Sequence, residues 1–253
     1  MWRLAVLAVA MAAPAMAQTP DEPAARLSYV ANEGVMLSSP RGRVLIDALF
    51  GDGLSDYAVV PHPMRDSLER AAGDYGGPAL VLSTHAHRDH YDSTAVARYL
   101  AGNPDAVIAG PPGVPPHDAI RAADLGWVKV RPIPIPHGPT QRPVGHTWYL
   151  VELGGTTALH LGDTSGDPKS WPDLGLPAGG VDIALVPYWY ALEDVRFQCL
   201  LDVIHAHTVV LLHVSLGAAR GDGGWPGRLR ELQARYPQVR APRQPGEVVE
   251  LSD

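Results

Sequence analysis

The pattern of apolar and polar positions begins with three short strand-like runs. Residues 27–31, 35–38 and 43–48 are rich in β-forming residues and are separated by Gly34 and by the Pro40-Arg41-Gly42 segment. This spacing predicts a meander of three strands. Strands and helices then alternate in both halves of the chain, which is typical of a layered α/β fold.

The later elements follow from apolar periodicity and from turn residues. Residues 79–82 are continuously apolar, as in a strand that is covered on both faces. Gly154-Gly155 joins two β runs and is the strongest hairpin signal in the chain. The predicted helices are 64–72, 92–100, 116–123, 195–205 and 225–236, and the predicted later strands are 79–82, 106–109, 127–135, 147–153, 156–161, 181–186, 208–214 and 248–251.

The N-terminus has the features of an export signal. Met1-Trp2-Arg3 is a short positive start, residues 4–13 are apolar, and Ala15-Met16-Ala17 has the small-x-small form that signal peptidase accepts. The sequence therefore predicts a signal peptide over 1–17 and one mature domain over 18–253, located in the periplasm or secreted. The apolar stretch is too short to span a bilayer, and no later segment is long enough, so no membrane span is expected.

Composition narrows the class of partner. The 20 Lys and Arg against 27 Asp and Glu give a net charge of −7, and the basic residues form no run that could follow a phosphate backbone. Nucleic acid is therefore not expected as a partner, because binding it depends on neutralising phosphates. The single cysteine rules out an intrachain disulfide. A small-molecule substrate is the remaining expectation.

Four ligand-type side chains follow the apolar run at 79–82. They are His85, His87, Asp89 and His90, all within six residues. Imidazole and carboxylate groups suit zinc and its first-row neighbours, and the i, i+2 spacing puts His85 and His87 on one side of an extended segment. The sequence therefore predicts a metal site where this strand ends.

The segment from His85 to His90 resembles the HxHxDH signature of the metallo-β-lactamase superfamily. Its fold is a four-layer αββα sandwich, which is therefore the expected fold. The order of the later ligand-type residues also resembles that superfamily, because His137, Asp163 and His213 each follow a strand-like run. The resemblance implies one metal held by His85, His87 and His137, a second held by Asp89, His90 and His213, and Asp163 between them.

The same resemblance implies a binuclear site with a metal-bound hydroxide. Two divalent ions are expected, with zinc first and manganese or iron as alternatives. Asp89 would orient the hydroxide and later carry a proton to the leaving group. Tyr188 and Tyr190 follow the strand run at 181–186, and either could donate a hydrogen bond to a developing oxyanion or form an apolar wall.

Several assignments stay open at this point. His146 competes with His137 as third ligand, and we favour His137 because it ends a strand-like run whereas His146 starts one. Asp47 either orients a ligand histidine or caps a turn at the end of its strand. Cys199 lies in a predicted helix, so a packing role is expected. Structural or surface roles are expected for His62, His117, His160, His205 and His207.

The function that these residues favour is hydrolysis of an ester-like substrate, which is a lactone, a thioester or a phosphodiester. Gly162-Asp163-Thr164 resembles lactonases, glyoxalase II thioesterases, tRNA 3′-processing ribonucleases and a broad group of Zn-dependent hydrolases, of which the broad group fits best. A periplasmic β-lactamase is the alternative, favoured by the export signal and opposed by Asp163. A metal-storage protein would not need a carboxylate between two ions, and a flavin-linked relative would need a second domain.

Overall fold

The computed structural model describes residues 24–111, 114, 123–138 and 145–252. The predicted signal peptide, His117 and the predicted helix 116–123 lie outside these ranges, apart from Ala123, which begins a short strand. No helix of the described ranges is both long enough and apolar enough to span a bilayer.

In the described part of the chain, strands form two mixed sheets. The strands are β1 (Arg26–Ala31), β2 (Gly34–Ser39), β3 (Gly42–Ile46), β4 (Ala79–Leu82), β5 (Val107–Ala109), β6 (Ala123–Asp124), β7 (Val128–Pro134), β8 (Thr147–Leu153), β9 (Thr156–His160), β10 (Val181–Pro187), β11 (Ala206–Leu212), β12 (Val239–Arg240) and β13 (Val248–Val249). The helices are α1 (His62–Glu69), α2 (Ser93–Gly102), α3 (Asp194–Ile204), α4 (Leu216–Arg220) and α5 (Trp225–Arg235).

The first sheet has the order β13-β1-β2-β3-β4-β5, and the second has the order β12-β11-β10-β9-β8-β7-β6. The predicted meander is present as the antiparallel ladder β1-β2-β3. The predicted hairpin is also present, since Leu153 pairs with Thr156 across Gly154 and Gly155. Both glycines have positive φ, 55° and 73°, which is the backbone that a two-residue hairpin turn requires.

Three apolar clusters divide the molecule into four layers. Val44 and Leu82 of the first sheet meet Val151 and Leu185 of the second between the sheets. The outer face of the first sheet packs against α1 and α2, and that of the second against α3 and α5. This arrangement confirms the predicted αββα sandwich.

The structure adds elements that periodicity did not predict. Strands β6 and β12 have two residues each, and α4 is a single turn, so none is long enough to show a period. The helix predicted to reach His205 ends at Ile204, because His205 adopts a left-handed backbone with φ 52° as the C-terminal cap of α3.

Strand ends bring the candidate residues together. β3 runs parallel to β4, and β9 and β10 run parallel to β11, so their carboxyl ends share an edge within each sheet. Asp47 follows β3 and His85 lies three residues after β4, while Asp163 and His213 come after β9 and β11. The site is therefore built from both sheets.

Candidate metal centre

The segment after β4 is anchored before the first histidine. Asp47 accepts hydrogen bonds from the backbone N–H of Thr84, at 2.7 Å, and from its hydroxyl, at 2.6 Å. On the far side of the histidine segment, Asp92 caps helix α2 by accepting from the N–H groups of Thr94 and Ala95. The ligand-type residues therefore lie between a buried carboxylate and a capped helix, which fixes the ends of the segment that carries them.

The first ligand group consists of His85, His87 and His137. One ligand atom from each, together with one from Asp163, lies within 4.8 Å of all the others. His85 Nε2 is 2.9 Å from His87 Nδ1, and Asp163 Oδ2 is 3.8 Å from His85 Nε2 and 3.7 Å from His137 Nε2. Three imidazoles and a carboxylate oxygen converge on one small volume.

The second ligand group consists of Asp89, His90 and His213. Their ligand atoms also lie within 4.8 Å of one another, and all three side chains are buried. Asp163 Oδ1 is 3.2 Å from His90 Nε2 and 3.2 Å from His213 Nε2. One oxygen of Asp163 therefore faces each group, so the carboxylate stands between them.

Asp47 contacts the second ligand group from behind. Its Oδ2 is 2.8 Å from His90 Nδ1, and its side chain is fully buried. The contact supports the interpretation in which Asp47 orients a histidine. Asp47 directly follows β3 and has a left-handed backbone with φ 49°.

Asn32, in the turn between β1 and β2, supports Asp89. Its Nδ2 donates to Asp89 Oδ2 at 3.2 Å, and its backbone carbonyl accepts from the backbone N–H of His213 at 3.3 Å. Sequence reasoning missed Asn32. A turn residue 57 positions before Asp89 carries no local signal of this contact.

Charge in the first ligand group is low. Burial and the nearby His90 lower the pKa of His85 far below its usual value. Burial and His137 lower the pKa of His87 as well. Both imidazoles are therefore neutral near pH 7, which is the form that binds a metal ion.

Charge in the second ligand group is high. Burial would lower the pKa of His213, but Asp163 and Asp89 outweigh it and raise the pKa to about 10. Burial likewise opposes protonation of His90, yet Asp163 and Asp47 raise its pKa well above the usual value. The pKa of Asp163 is held well below its ordinary value because both histidines outweigh burial. Without a metal, this group is a cluster of ion pairs.

The unpaired atoms of the site fit a metal ion. Among the described residues, no hydrogen-bond partner is present for the buried Nε2 atoms of His90, His137 and His213, or for Asp163 Oδ1. The 3.2 Å contacts to Asp163 lack hydrogen-bond direction. Buried polar atoms that converge without partners are rare in native structures. Nitrogen and carboxylate donors of this kind are suited to divalent first-row metals.

His146 also lies beside the first ligand group. Its ring centroid is 5.3 Å from that of His137 and 5.4 Å from that of His85. Its Nδ1 is 3.1 Å from the carbonyl of Ile135, and burial and His137 lower its pKa to about 4. The set of converging ligand atoms includes His137 and not His146.

Gly162 makes room for this arrangement. A Cβ atom at this position would lie 2.7 Å from His146 Nε2 and 2.7 Å from Thr84 Oγ1. The backbone of Gly162 is also left-handed, with φ 49°. Both requirements favour glycine just before Asp163.

The two predicted tyrosines lie in different surroundings. Tyr190 is fully buried and donates its hydroxyl to the carbonyl of Gly166 at 2.8 Å, so that hydroxyl is engaged in the loop after Asp163. Tyr188 is half-buried, and its ring packs edge-on against Trp225 at 5.2 Å. Of the pair, Tyr188 has the more accessible side chain.

Two aromatic side chains flank His213. The ring of Tyr57 lies 4.2 Å from that of His213 at 87°, and the ring of Trp189 lies 5.2 Å away at 60°. Trp189 Nε1 donates to the carbonyl of Thr164, next to Asp163. Trp189 lies between the two predicted tyrosines but was not itself predicted at the site, and Tyr57 was missed because its loop has no motif.

The remaining candidates occupy other places. Cys199 is half-buried in α3 and belongs to neither ligand group of the described residues. His160 is buried in β9, while His207 is exposed 3.6 Å from Asp182. These positions agree with structural or surface roles.

A family model described as "Beta-lactamase superfamily domain" matches residues 26–210, well over half of the chain. The chain belongs to the metallo-β-lactamase superfamily. As a member of this superfamily it is a metal-dependent hydrolase, and its His and Asp groups suit a metal site. No curated protein was found to match it in sequence.

Several solved structures are similar to this chain in fold, among them the metallo-β-lactamase fold protein YhfI. YhfI from Bacillus subtilis is 15% identical, with a TM-score of 0.61 over 90% of this chain and 99% of that one. The isothiocyanate hydrolase from Delia radicum gut bacteria is 17% identical, with a TM-score of 0.58 over 90% of this chain and 100% of the other.

CmlA, a diiron β-hydroxylase from Streptomyces venezuelae, is 14% identical, with a TM-score of 0.54 over 92% of this chain. The present chain spans 55% of the CmlA chain. At these identities the similarity concerns the fold.

Proposed function

We propose that this metallo-β-lactamase superfamily member hydrolyses an ester-like small molecule at a site that holds two divalent metal ions. The observation that carries the proposal is the placement of Asp163, which turns one oxygen toward each ligand group. A site for one ion would not need a carboxylate shared in this way. The substrate is a lactone, a thioester or a phosphodiester.

One ion would be held by the first ligand group and the other by the second, with Asp163 shared. His137 is assigned as a ligand in preference to His146, because its Nε2 lies with the other ligand atoms. Zn²⁺ is the expected ion, with Mn²⁺ or Fe²⁺ as alternatives. When bound, such ions lower the pKa of water and polarise a substrate carbonyl or phosphoryl oxygen.

Asp89 is assigned as the residue that orients the attacking water and carries a proton to the leaving group. Asn32 fixes its Oδ2, which also lies 3.4 Å from His213 Nε2. Neighbouring His213 and His90 outweigh burial and lower the pKa of Asp89, so it starts the reaction as an acceptor.

The aromatic residues beside His213 are assigned to the substrate. Tyr57 and Trp189 offer ring surface against which an apolar group would pack. The Tyr188 hydroxyl is assigned as a donor to the developing oxyanion, whereas that of Tyr190 is already used by Gly166.

The test compares substrates on protein loaded with zinc, manganese or iron. An acyl ester, a lactone and a thioester are assayed beside an activated phosphodiester, and an isothiocyanate is included because one structural neighbour hydrolyses that class. Turnover of any ester-like substrate, lost in Asp163→Asn, supports the proposal. Protein with two metals bound that turns over none of them refutes it.

A β-lactamase is the second candidate. The predicted export signal and the HxHxDH segment favour it, whereas Asp163 opposes it. A chromogenic cephalosporin separates the two, and zinc-replete protein that leaves it intact excludes the β-lactamase. We also propose export to the periplasm, and mature secreted material that retains Met1 would contradict it.

A further inference from the structure

Glu33 is a buried carboxyl group that the proposed chemistry does not use. It follows Asn32 in the turn between β1 and β2, and none of its surface is exposed. Neither carboxylate oxygen has a hydrogen-bond partner among the described residues. A carboxyl group in such a place is unusual, because buried polar groups are nearly always paired.

His160 is near the carboxyl group but is already paired. Its Nδ1 accepts from the N–H of Gly162 at 3.0 Å, so its proton is on Nε2. That Nε2 lies 3.0 Å from the backbone carbonyl of Glu33 and 3.6 Å from Glu33 Oε2. His160 therefore ties the turn to the strand that leads to Asp163, and the Glu33 carboxyl group is left over.

His213 has an unused ring nitrogen that could pair with such an acceptor. Its Nε2 faces Asp89 and Asp163, whereas its buried Nδ1 has no hydrogen-bond partner in the part of the chain that the structure describes. The backbone N–H of His213 donates to the carbonyl of Asn32, so the histidine sits against the same turn. Burial raises the pKa of Glu33, and His213 is the charged neighbour that opposes this most strongly.

We infer that Glu33 is a positioning residue whose carboxyl group accepts a hydrogen bond from His213 Nδ1–H when His213 Nε2 holds a metal ion. This inference rests on the proposed function. Histidines that bind metals usually donate their second ring N–H to a carboxylate or carbonyl group, which fixes the ring. Asp47 contacts His90 in that way. Under this inference Glu33 is the equivalent partner of His213, and its side chain must turn toward the ring, because the only histidine within 4.0 Å of its carboxylate among the described residues is His160. Either protonation state of Glu33 can accept.

The first test measures metal binding by Glu33→Gln and Glu33→Met, two variants of nearly equal size. Glutamine keeps an acceptor, and methionine does not. We expect two metals in Glu33→Gln with affinities within about threefold of wild type. In Glu33→Met we expect the second group to lose about 10- to 100-fold in affinity, with the first group unchanged.

The matched control is Glu69→Met, which removes a buried carboxylate in α1 that pairs with Arg98 of α2 rather than facing the site. It should leave both metal affinities unchanged. Competition with a chelator, followed by metal analysis, gives the two affinities, and circular dichroism checks that each variant is folded.

The second test is independent of the methionine variant. In metal-loaded protein labelled with ¹⁵N-histidine, the Nδ1–H signal of His213 should move when Glu33 becomes Gln, while that of His90 stays. An unmoved His213 signal, or a Glu33→Met variant that binds both metals as wild type does, overturns the inference. If Asn32→Ser moves the signal and Glu33→Gln does not, the acceptor is Asn32. Wild-type protein that binds fewer than two metals refutes the proposed function as well.

Discussion

The two ligand groups of the site differ in what stands behind their histidines. In the first ligand group, His85 Nδ1 contacts the hydroxyl of Thr84 at 3.0 Å, and both His85 and His87 have lowered pKa values. In the second, Asp47 stands behind His90, and the pKa values of His90 and His213 are raised.

The difference shows that a metal ion must compete with protons in the second ligand group more than in the first. In the first group, His85 and His87 are neutral imidazoles and lose no proton when they bind an ion. In the second group, His90 and His213 must release protons that the nearby aspartates, Asp163 above all, hold in place. We therefore expect the first group to bind its ion across a wider range of pH, and the second to depend on the carboxylates behind it.

The largest effect is expected from Asp163→Ala, which removes the group common to both halves. We expect kcat/KM to fall about a thousandfold, equivalent to about 4 kcal/mol, and the metal content to fall below two per chain. Steady-state kinetics and metal analysis measure both. Asp105→Ala, at an exposed position between α2 and β5, is the control. A variant that keeps two bound metals and the wild-type kcat/KM would show that the two ligand groups are independent.

A smaller and one-sided effect is expected from Asp47→Asn. Asparagine tolerates the left-handed backbone at this position but cannot carry the negative charge that faces His90. The second group should lose about 10- to 100-fold in metal affinity, while the first, which Asp47 reaches only through Thr84, loses far less. Titration of metal-free protein gives the two constants. Asp52→Asn, an exposed carboxylate paired with Arg65, should change neither. Equal losses of metal affinity in both ligand groups would show that Asp47 does not act mainly on the second.

Metal uptake should depend on pH in the second group and not in the first. Below its pKa of about 10, His213 must lose a proton to bind, so affinity should rise about tenfold per pH unit for each proton released. Above pH 7 the metal affinity of the first group should not change with pH. Calorimetry in buffers of different ionisation enthalpy counts the protons. Uptake without proton release would contradict the raised pKa of His213.

The same shifts predict how the metal-free protein responds to pH. The pKa of His213 is raised, so its stabilisation is complete below about pH 6.5 and is lost as pH rises through about 10. The pKa of Asp163 is lowered, so its stabilisation is lost as the solution becomes acidic. The pKa values of His85, His87 and His146 are lowered, so these buried neutral imidazoles destabilise the folded state as pH falls below about 6.5. Thermal unfolding should therefore show greatest stability at about pH 6.5. A maximum above pH 8 would be inconsistent with these ion pairs.

The smallest effect separates the two tyrosines. Tyr188→Phe should lower kcat a few-fold if its hydroxyl meets the oxyanion, with little change in stability. Tyr190→Phe should leave kcat within about twofold but reduce the free energy of unfolding by about 1 kcal/mol, because the bond to Gly166 is lost. Equal effects of the two substitutions on kcat would contradict the assignment of the Tyr188 hydroxyl, and not that of Tyr190, to the oxyanion.

Much of the fold was predictable because apolar runs and turn residues mark its main elements locally. The run at 79–82 and the Gly154-Gly155 turn became β4 and the β8–β9 hairpin. The order of ligand-type residues after strands also predicted which side chains meet, and the choice of His137 agrees with the convergence of its Nε2. The local sequence pattern was sufficient to predict a site residue wherever that residue directly follows a strand.

The supporting residues could not be found in this way. Asn32 meets Asp89 across 57 positions, and Tyr57 meets His213 across a still longer separation. These contacts arise when the turn between β1 and β2 and the loop after β3 fold over the ends of other strands. No spacing in the sequence carries that information, because the contacts depend on how the strands are arranged in the sheets.

The origin of the ligands in both sheets has a consequence for unfolding. His85, His87 and His90 extend from β4 in the first sheet, whereas Asp163 and His213 follow β9 and β11 in the second. Any ion held between them is a cross-link between the halves of the sandwich. At a free concentration 100 times its dissociation constant, each such ion would add about 2.7 kcal/mol to the folded state. Separation of the sheets and loss of the metal then become a single cooperative event.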